Sequence, residues 1–202
     1  FYKHHGLDWK GIFRALLVNL KLGSPVQGGS TISQQLVRSS FLTRQKTIKR
    51  KKKEIILTLE LERRYSKDQI LEWYLNQIPF GENSYGVEAA SQTFFKKSAL
   101  DLSIPEAAAL AAMVSAPSYY SPYGSNKQKL LLRKDYILNR MAILSYITQE
   151  QLKIALKEGV VFADVSRIIK APHFVFYVKG YLEKEYGEDY LREKGLKVYT
   201  SL

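Results

Sequence analysis

Residues 28–40 read GGSTISQQLVRSS, and residues 49–54 read KRKKKE and continue into an apolar helical stretch. The glycine pair Gly28 and Gly29 precedes a helix start that we place at Ser30 or Thr31. This helix is predicted to present a polar face that carries Gln34, Gln35 and Arg38. The second segment places five cations directly before Glu54. Such a layout suits an anionic, oxygen-rich ligand, with one carboxylate held among the cations.

The five cations, residues 49–53, occupy an unfavourable position for basic side chains. If Thr47 caps the helix, they fall in its first two turns, where the helix dipole favours acidic residues. Basic residues ahead of Glu54 are also the weaker order for pairs three or four residues apart. A bound phosphate or diphosphate would offset both effects, because helix N-termini and Lys/Arg clusters attract anions. The charge pattern alone is equally typical of a solvated basic face with an incidental Glu.

The composition is that of a globular protein with a basic surface. The chain has 202 residues, of which 46% are hydrophobic and 25% charged, enough for one domain or two closely packed lobes. A net charge of +12 indicates a polyanionic partner: nucleic acid, an anionic membrane surface or a phosphorylated substrate. Because the sequence contains no cysteine, disulfides and thiolate metal sites are excluded.

Hydrophobic periodicity predicts a mainly α protein. Two of the predicted helices start near Asp8, ending at Gly23, and at Ile48, ending at Arg64. In the longer helix the apolar residues that we expect to face inward are Ile48, Ile55, Ile56 and Leu59.

Capping boxes and turn residues predict further helices. The capping boxes pair Ser66 with Gln69, Ser103 with Glu106, and Thr148 with Gln151. Residues 127–146 are also predicted to be helical. Strand is predicted only near the end of the sequence, at residues 173–178, with a helix as the alternative, and at residues 196–200.

No segment is predicted to cross a membrane, since no run approaches 18 consecutive apolar residues. One helix is predicted to carry a stripe of leucines, which suits either core packing or a patch that inserts into a membrane surface. The stripe is formed by Leu16, Leu17, Leu20 and Leu22. The sequence starts at Phe1 without a Met. We therefore expect a fragment whose upstream targeting or anchoring residues have been removed.

Five segments, in order and spacing, resemble the peptidoglycan glycosyltransferase domain of class A (bifunctional) penicillin-binding proteins, glycosyltransferase family 51. They are GGSTISQQLVR (28–38), RKKKE (50–54), KDQILEWYLNQIPFG (67–81), YGVEAAS (85–91) and PEAAALAAMVSAPSYYSP (105–122). The resemblance covers nearly the whole chain. Each segment alone would be a weak signal, but five in order are highly specific.

The resemblance implies a transglycosylase that polymerises lipid II in the bacterial cell envelope, on the outer face of the cytoplasmic membrane. The 4-hydroxyl of the acceptor sugar would attack the anomeric carbon of the lipid-diphosphate-linked glycan chain, with inversion. This reaction needs a base on the hydroxyl and positive charge on the departing diphosphate. The implied fold is a lysozyme-like larger lobe plus a smaller membrane-facing jaw lobe, together one domain over residues 1–202.

The resemblance also gives roles to the two segments quoted first. Arg50 and Lys51 would neutralise the diphosphate, and Glu54 would act as a catalytic acid or organise the cations or a divalent metal. Gly28 and Gly29 would let the backbone approach the ligand. Side chains expected to bind donor sugar and phosphate are Ser30, Gln34, Gln35 and Arg38. No cofactor is required, a divalent cation is possible, and a phosphoglycolipid (moenomycin-type) inhibitor would bind the same cations.

The first motif of the family is only partly represented in this sequence. Phe1, His4 and Gly6 match its tail, so we expect its Glu-Asp pair, and with it the principal catalytic Glu, to lie upstream of Phe1. The fragment is therefore expected to polymerise weakly or not at all. Any transpeptidase domain would follow GLKVYTSL at residues 195–202.

Two other functions compete with the transglycosylase hypothesis. A lysozyme-like hydrolase would share the fold, but its glycan substrate carries no diphosphate to explain the basic run. A helical nucleic-acid binder is indicated by the net charge and residues 49–53. The ordered motifs disfavour it, and no nucleic-acid partner is expected.

Overall fold

The computed structural model describes residues 1–24, 28–42, 47–164, 172–187, 190–191 and 198–200. The chain divides into two compact units, Phe1–Ala163 and Asp164–Leu202. Of the strand predicted at residues 196–200, positions 196–197 lie outside the described residues, and residues 198–200 have no regular structure. The prediction of one domain in two lobes stays a prediction.

The first unit is built from helices and one short hairpin, which confirms the predicted mainly α fold class. Its helices are α1 Trp9–Leu22, α2 Ile32–Phe41, α3 Ile48–Arg64, α4 Lys67–Gln77, α5 Val87–Phe95, α6 Ile104–Val114, α7 Lys127–Ile143 and α8 Gln149–Lys157. Strands β1 (Pro79–Gly81) and β2 (Ser84–Tyr85) lie between α4 and α5, and a 3-10 turn, Ala99–Asp101, follows α5. The second unit contains α9, Pro172–Tyr186.

Local capping sets most of the helix starts, as the sequence predicted. Asp8 caps α1 by accepting a hydrogen bond from the amide of Gly11 at 2.9 Å. Complete capping boxes open α4 at Ser66 and α8 at Thr148. A further box, which the sequence analysis did not identify, opens α2 at Thr31.

The core of the first unit forms between the hairpin and helices α2, α4, α5 and α6. Its fully buried large side chains include Ile70, Phe80, Phe94, Leu110 and Met113. A second cluster joins α6, α7 and α8. The alanines of α6 leave little side-chain volume on the helix, so α7 can pack closely against it.

The predicted inward face of α3 is wrong. Ile48 is 80% exposed, and Ile56 and Leu59 are exposed as well, while Ile55 is only half-buried. The buried residues are Glu54, Thr58 and Leu61, which share one face at helical spacing. The ion pairs of Glu54 compensate for its burial on that face, and Ile48, Ile56 and Leu59 are left on the exposed side.

The prediction of strand only near the end of the sequence is also wrong. Strands β1 and β2 pair antiparallel, with Pro79 opposite Tyr85 and Gly81 opposite Ser84. The turn between them places two non-glycine residues, Glu82 and Asn83, at φ values of 48° and 57°. Residues 173–178 lie in α9, so the helical alternative is the correct one there.

Helix α1 exposes nearly all of its large apolar side chains. Only Gly11 and Ala15 of this helix are buried, whereas the exposed set comprises Trp9, Phe13, Leu16, Leu17, Leu20 and Leu22. The core-packing alternative for the leucine stripe is therefore wrong. Within the described ranges, no helix has the length and apolar content needed to cross a bilayer.

Candidate active site at the start of helix α3

The centre of the candidate site is Glu54, whose side chain is 0% exposed on the inner face of α3. One carboxylate oxygen, Oε2, accepts a hydrogen bond from Nη1 of Arg50 at 3.4 Å. The other, Oε1, accepts a closer one from Nζ of Lys51. A buried carboxylate without partners would be costly, and these two ion pairs offset its desolvation.

The helix separates the five cations by direction. Arg50 and Lys51 turn toward Glu54, because residues three and four apart share a helix face. Lys49, Lys52 and Lys53 are exposed. The basic run is thus not a uniformly solvated face, and two of its members form an ion-pair cluster with the carboxylate.

Arg50 retains hydrogen-bonding capacity beyond its pair with Glu54. Its Nε is buried and has no hydrogen-bond partner among the described residues. Its side chain is 15% exposed, and that of Lys51 is 42% exposed. The cluster therefore reaches the surface through its cations, with the carboxylate beneath them.

The start of α2 lies next to this cluster. Nζ of Lys51 donates to Oγ of Ser30 at 3.2 Å. The next residue, Thr31, caps α2, and its hydroxyl donates to the carbonyl oxygen of Gly6 at 2.6 Å. The structure thus brings together the two segments that the sequence singled out, with Ser30 facing Lys51.

The two glutamines of α2 have different surroundings. Gln34 is buried, and its Oε1 accepts a hydrogen bond from the amide of Thr31 at 3.0 Å, which completes the capping box. This geometry gives Gln34 a structural role in the helix start, and its role in binding stays a prediction. Gln35 is half-buried, and its Nε2 donates to the carbonyl of Ser30 at 3.5 Å.

Gly28, Gly29 and Arg38 border this region. A Cβ added at Gly29 would stand 2.9 Å from Cα of Ile12 in α1, so the close approach of this segment to α1 already requires glycine there. At Gly28 no described atom lies within 4 Å of such a Cβ. Arg38 is exposed, one turn along α2 from Gln35. Ligand contacts for all three remain predictions.

A second buried ionic cluster, which sequence reasoning missed, lies further along α3. Glu62 is 5% exposed, pairs with Nζ of Lys67 at 2.5 Å and accepts a hydrogen bond from the buried hydroxyl of Ser33. Lys67 also donates to the carbonyl of His4 at 2.6 Å. Burial, together with the charge of Lys67, lowers the pKa of His4.

This second cluster fixes residues 1–6 beside α2 and α3. Ser33 and Glu62 are 29 residues apart, and Lys67 and His4 are 63 apart, so no local spacing rule connects them. The available signal was Glu62 itself, an acidic residue one helical turn beyond Thr58 on the face of Glu54.

Tyr74 of α4 supports the polar face of α2 from the core side. It is 8% exposed, and its hydroxyl donates to Oε1 of Gln35 at 3.2 Å. Burial raises the pKa of Tyr74 to about 12, although the nearby charge of Arg38 acts in the opposite direction. The phenol therefore stays a hydrogen-bond donor at neutral pH.

Among the described residues, Glu54 is not part of a group of side chains that could hold a metal ion. In the part of the chain that the structure describes, no three His, Cys, Asp or Glu side chains form a group that could hold a metal ion. A divalent cation near Glu54 stays a prediction.

A family model described as Transglycosylase matches residues 1–142. This chain belongs to the transglycosylase family. It is similar to penicillin-binding protein 1A of Aquifex aeolicus, with 42% identity over 203 residues that cover 100% of this chain and 28% of that protein. Penicillin-binding protein 2D of Bacillus subtilis is 41% identical over 207 residues, covering 100% of this chain and 30% of that protein.

A crystal structure of penicillin-binding protein 1A from Haemophilus influenzae is similar in fold. The TM-score is 0.51 at 28% identity, and the match covers 78% of this transglycosylase chain and 20% of that chain. The chain spans less than a third of the length of these relatives. The predicted family and enzyme class, a peptidoglycan glycosyltransferase, are confirmed; the lobe description and the residue roles stay predictions.

Proposed function

We propose that this transglycosylase domain polymerises lipid II into linear glycan chains by inverting transfer from a lipid-diphosphate-linked donor. The observation on which this depends is the buried Glu54 held by Arg50 and Lys51, with Lys51 also bonded to Ser30. The first basic side chains of α3 thus meet the start of α2, where an anionic group would find both charge and hydrogen-bond donors.

The two cations provide the charge that a departing diphosphate requires. Arg50 is a guanidinium with five N–H donors, and its buried Nε lacks a partner among the described residues. Lys51 is partly exposed and can shift from Ser30 to a phosphate oxygen. Positioned donors of this kind typically contribute about 3 kcal/mol each to transition-state stabilisation.

Glu54 fits an organising role better than the role of an acid. Its carboxylate is fully buried beneath the two cations, so a proton on it has no direct path to a glycosidic oxygen. Through its ion pairs it holds Arg50 and Lys51 in fixed positions, which spares the enzyme the reorganisation of mobile cations.

The first experiment substitutes Glu54→Gln in the complete protein and measures polymer formed from lipid II. We expect turnover to fall at least about a hundredfold, because both cations lose their anchor. Glu60→Gln is the matched control, since Glu60 is a partly exposed residue of the same helix that pairs with Arg63 and Arg64. Near-normal turnover in Glu54→Gln would remove Glu54 from the mechanism.

Substrate choice separates this function from the alternatives. The complete protein should form polymer from lipid II and should leave finished peptidoglycan uncut. Cleavage of peptidoglycan would favour a lysozyme-like hydrolase. Tight duplex binding with a steep salt dependence, without lipid II turnover, would favour a nucleic-acid binder.

The same cations are proposed to bind a phosphoglycolipid inhibitor of the moenomycin type. Lys51→Ala should weaken its binding about tenfold or more, the usual effect of losing a charged hydrogen bond to phosphate. Lys53→Ala, an exposed cation on the same helix, is the control and should change the Kd less than about twofold. Equal losses in both variants would indicate only general electrostatic attraction.

We further propose that α1 contacts the outer leaflet of the cytoplasmic membrane. Its exposed stripe of Trp9, Phe13, Leu16, Leu17 and Leu20 is accompanied by Lys10 and Arg14, a combination typical of helices that lie in the membrane interface. Serine at Leu16, Leu17 and Leu20 should reduce liposome binding with folding intact. Serine at two other exposed leucines, Leu132 of α7 and Leu144 at its C-terminal cap, is the control.

A further inference from the structure

Gln35 is held at both ends of its carboxamide by groups from two different elements. On the core side, the hydroxyl of Tyr74 in α4 donates to Oε1 at 3.2 Å. On the other side, Nε2 donates to the carbonyl oxygen of Ser30 at 3.5 Å. Tyr74 is therefore connected through Gln35 to Ser30, and the hydroxyl oxygen of Ser30 accepts a hydrogen bond from the ammonium of Lys51.

These contacts fix the orientation of the amide. A flipped carboxamide would place Oε1 against the carbonyl oxygen of Ser30, and two acceptors repel each other. The Tyr74 hydroxyl supplies the donor that Oε1 needs, and its burial against α2 leaves it little freedom to turn elsewhere. Without the hydroxyl oxygen of Tyr74, the Gln35 carboxamide would keep only its hydrogen bond to the carbonyl of Ser30.

The orientation matters because Gln35 lies between the two proposed phosphate-binding regions. Ser30 with Lys51 is on one side, and the exposed Arg38 is one turn along α2 on the other. The amide nitrogen has two N–H groups, of which Ser30 accepts one, so one remains for a ligand.

We propose that Tyr74 is a positioning residue that holds the Gln35 carboxamide, and with it the Ser30 carbonyl, in the orientation that receives the sugar-diphosphate donor. This inference rests on the proposed function. Tyr74 does not itself touch the donor, since its hydroxyl is directed to Gln35 from within the core.

The test is a double-mutant cycle in the complete protein, with Tyr74→Phe, Gln35→Ala and the double variant assayed for kcat/KM on lipid II. We expect Tyr74→Phe to lower kcat/KM about fivefold, the factor that corresponds to one ordinary hydrogen bond. In the Gln35→Ala background the same change should have less than about a twofold effect, because no amide is left to orient.

Tyr123→Phe is the matched control for the loss of a part-buried tyrosine hydrogen bond. The Tyr123 hydroxyl donates to the carbonyl of Ala163 at 2.6 Å, and neither residue is among those proposed to bind the donor. This variant should lower the melting temperature by an amount similar to Tyr74→Phe and leave kcat/KM within about twofold of the original value. A purely structural Tyr74 would behave like this control.

The possible outcomes separate this inference from the proposed function. If Tyr74→Phe lowers kcat/KM only when Gln35 is present, the positioning role is supported. Equal losses with and without Gln35, or no loss in Tyr74→Phe, overturn it while lipid II turnover by the unaltered protein still stands. If the unaltered protein forms no polymer, the proposed function fails, and the positioning role fails with it.

Discussion

The substitution Glu62→Gln tests whether the second ionic cluster stabilises the first unit. Glutamine keeps the shape of the side chain and an acceptor for the Ser33 hydroxyl, but it removes the negative charge. Lys67, whose side chain is 19% exposed, would then keep its ammonium in a largely buried position without a counterion. Its bond to the carbonyl of His4 would remain.

The expected cost follows from this burial. Removal of one partner of a buried ion pair typically costs about 3–5 kcal/mol. Because the carbonyl of His4 still accepts from Lys67, we expect the lower end, about 3 kcal/mol. That loss corresponds to a fall in melting temperature of about 6–12 °C for a domain of this size. Adding Lys67→Met should recover part of it, since the unpaired charge disappears.

Urea is the suitable denaturant, because guanidinium would screen the charges under test. Unfolding can be followed in the complete protein by hydrogen exchange of peptides that cover α3 and α4. Glu60→Gln, in the exposed pairs with Arg63 and Arg64, should leave the midpoint within error. If Glu62→Gln left the urea midpoint unchanged, or if adding Lys67→Met lowered the midpoint further, the electrostatic account of the cluster would be refuted.

Three further predictions concern the backbone, the core and the response to alkali. Gly6→Ala should destabilise the fold by about 2 kcal/mol in urea titrations, because φ is +83° and the new Cβ would lie 3.0 Å from a methyl group of Thr58. Phe94→Ala should cost about 3–5 kcal/mol, measured in the same way, because this fully buried ring leaves a cavity. Stability should fall as the pH rises from about 10 to about 12, because the folded chain raises the pKa of Tyr74 to about 12 and holds a proton that the unfolded chain has lost. Thermal melts of Tyr74→Phe should show a smaller alkaline decline, and an identical decline would contradict the assignment.

Features set by neighbouring residues were predictable from the sequence. The helix starts at Asp8, Ser66 and Thr148 were all correct, because a cap and its partner lie within one turn. The ion pairs of Glu54 with Arg50 and Lys51 also follow from spacings of three and four residues in a helix.

Features that depend on packing between elements were not predictable in the same way. Apolar periodicity placed Ile48 and Ile56 of α3 in the core, yet the buried face is the one that carries Glu54. The pattern could not show that two ion pairs and the hydroxyl of Ser30 would make the burial of a carboxylate acceptable. The hairpin at Pro79–Tyr85 was missed because strands of two or three residues give almost no alternation signal.

The candidate site was predicted in its parts but not in its connections. Sequence reasoning identified Ser30 and Lys51, but their contact spans 21 residues and depends on how α2 packs against α3. It also placed Gln34 and Gln35 together, whereas the fold turns one inward as a cap and leaves the other between Ser30 and Tyr74.

The outward-facing aromatic and leucine side chains of α1 affect how the protein must be handled. In detergent-free buffer these exposed apolar side chains favour contact with other copies, so aggregation should increase with protein concentration and lower the measured activity. Mild non-ionic detergent, or nanodiscs, would cover the helix and keep the preparation monodisperse. Kinetic comparisons between variants are therefore meaningful only when the amphiphile and its concentration are held constant.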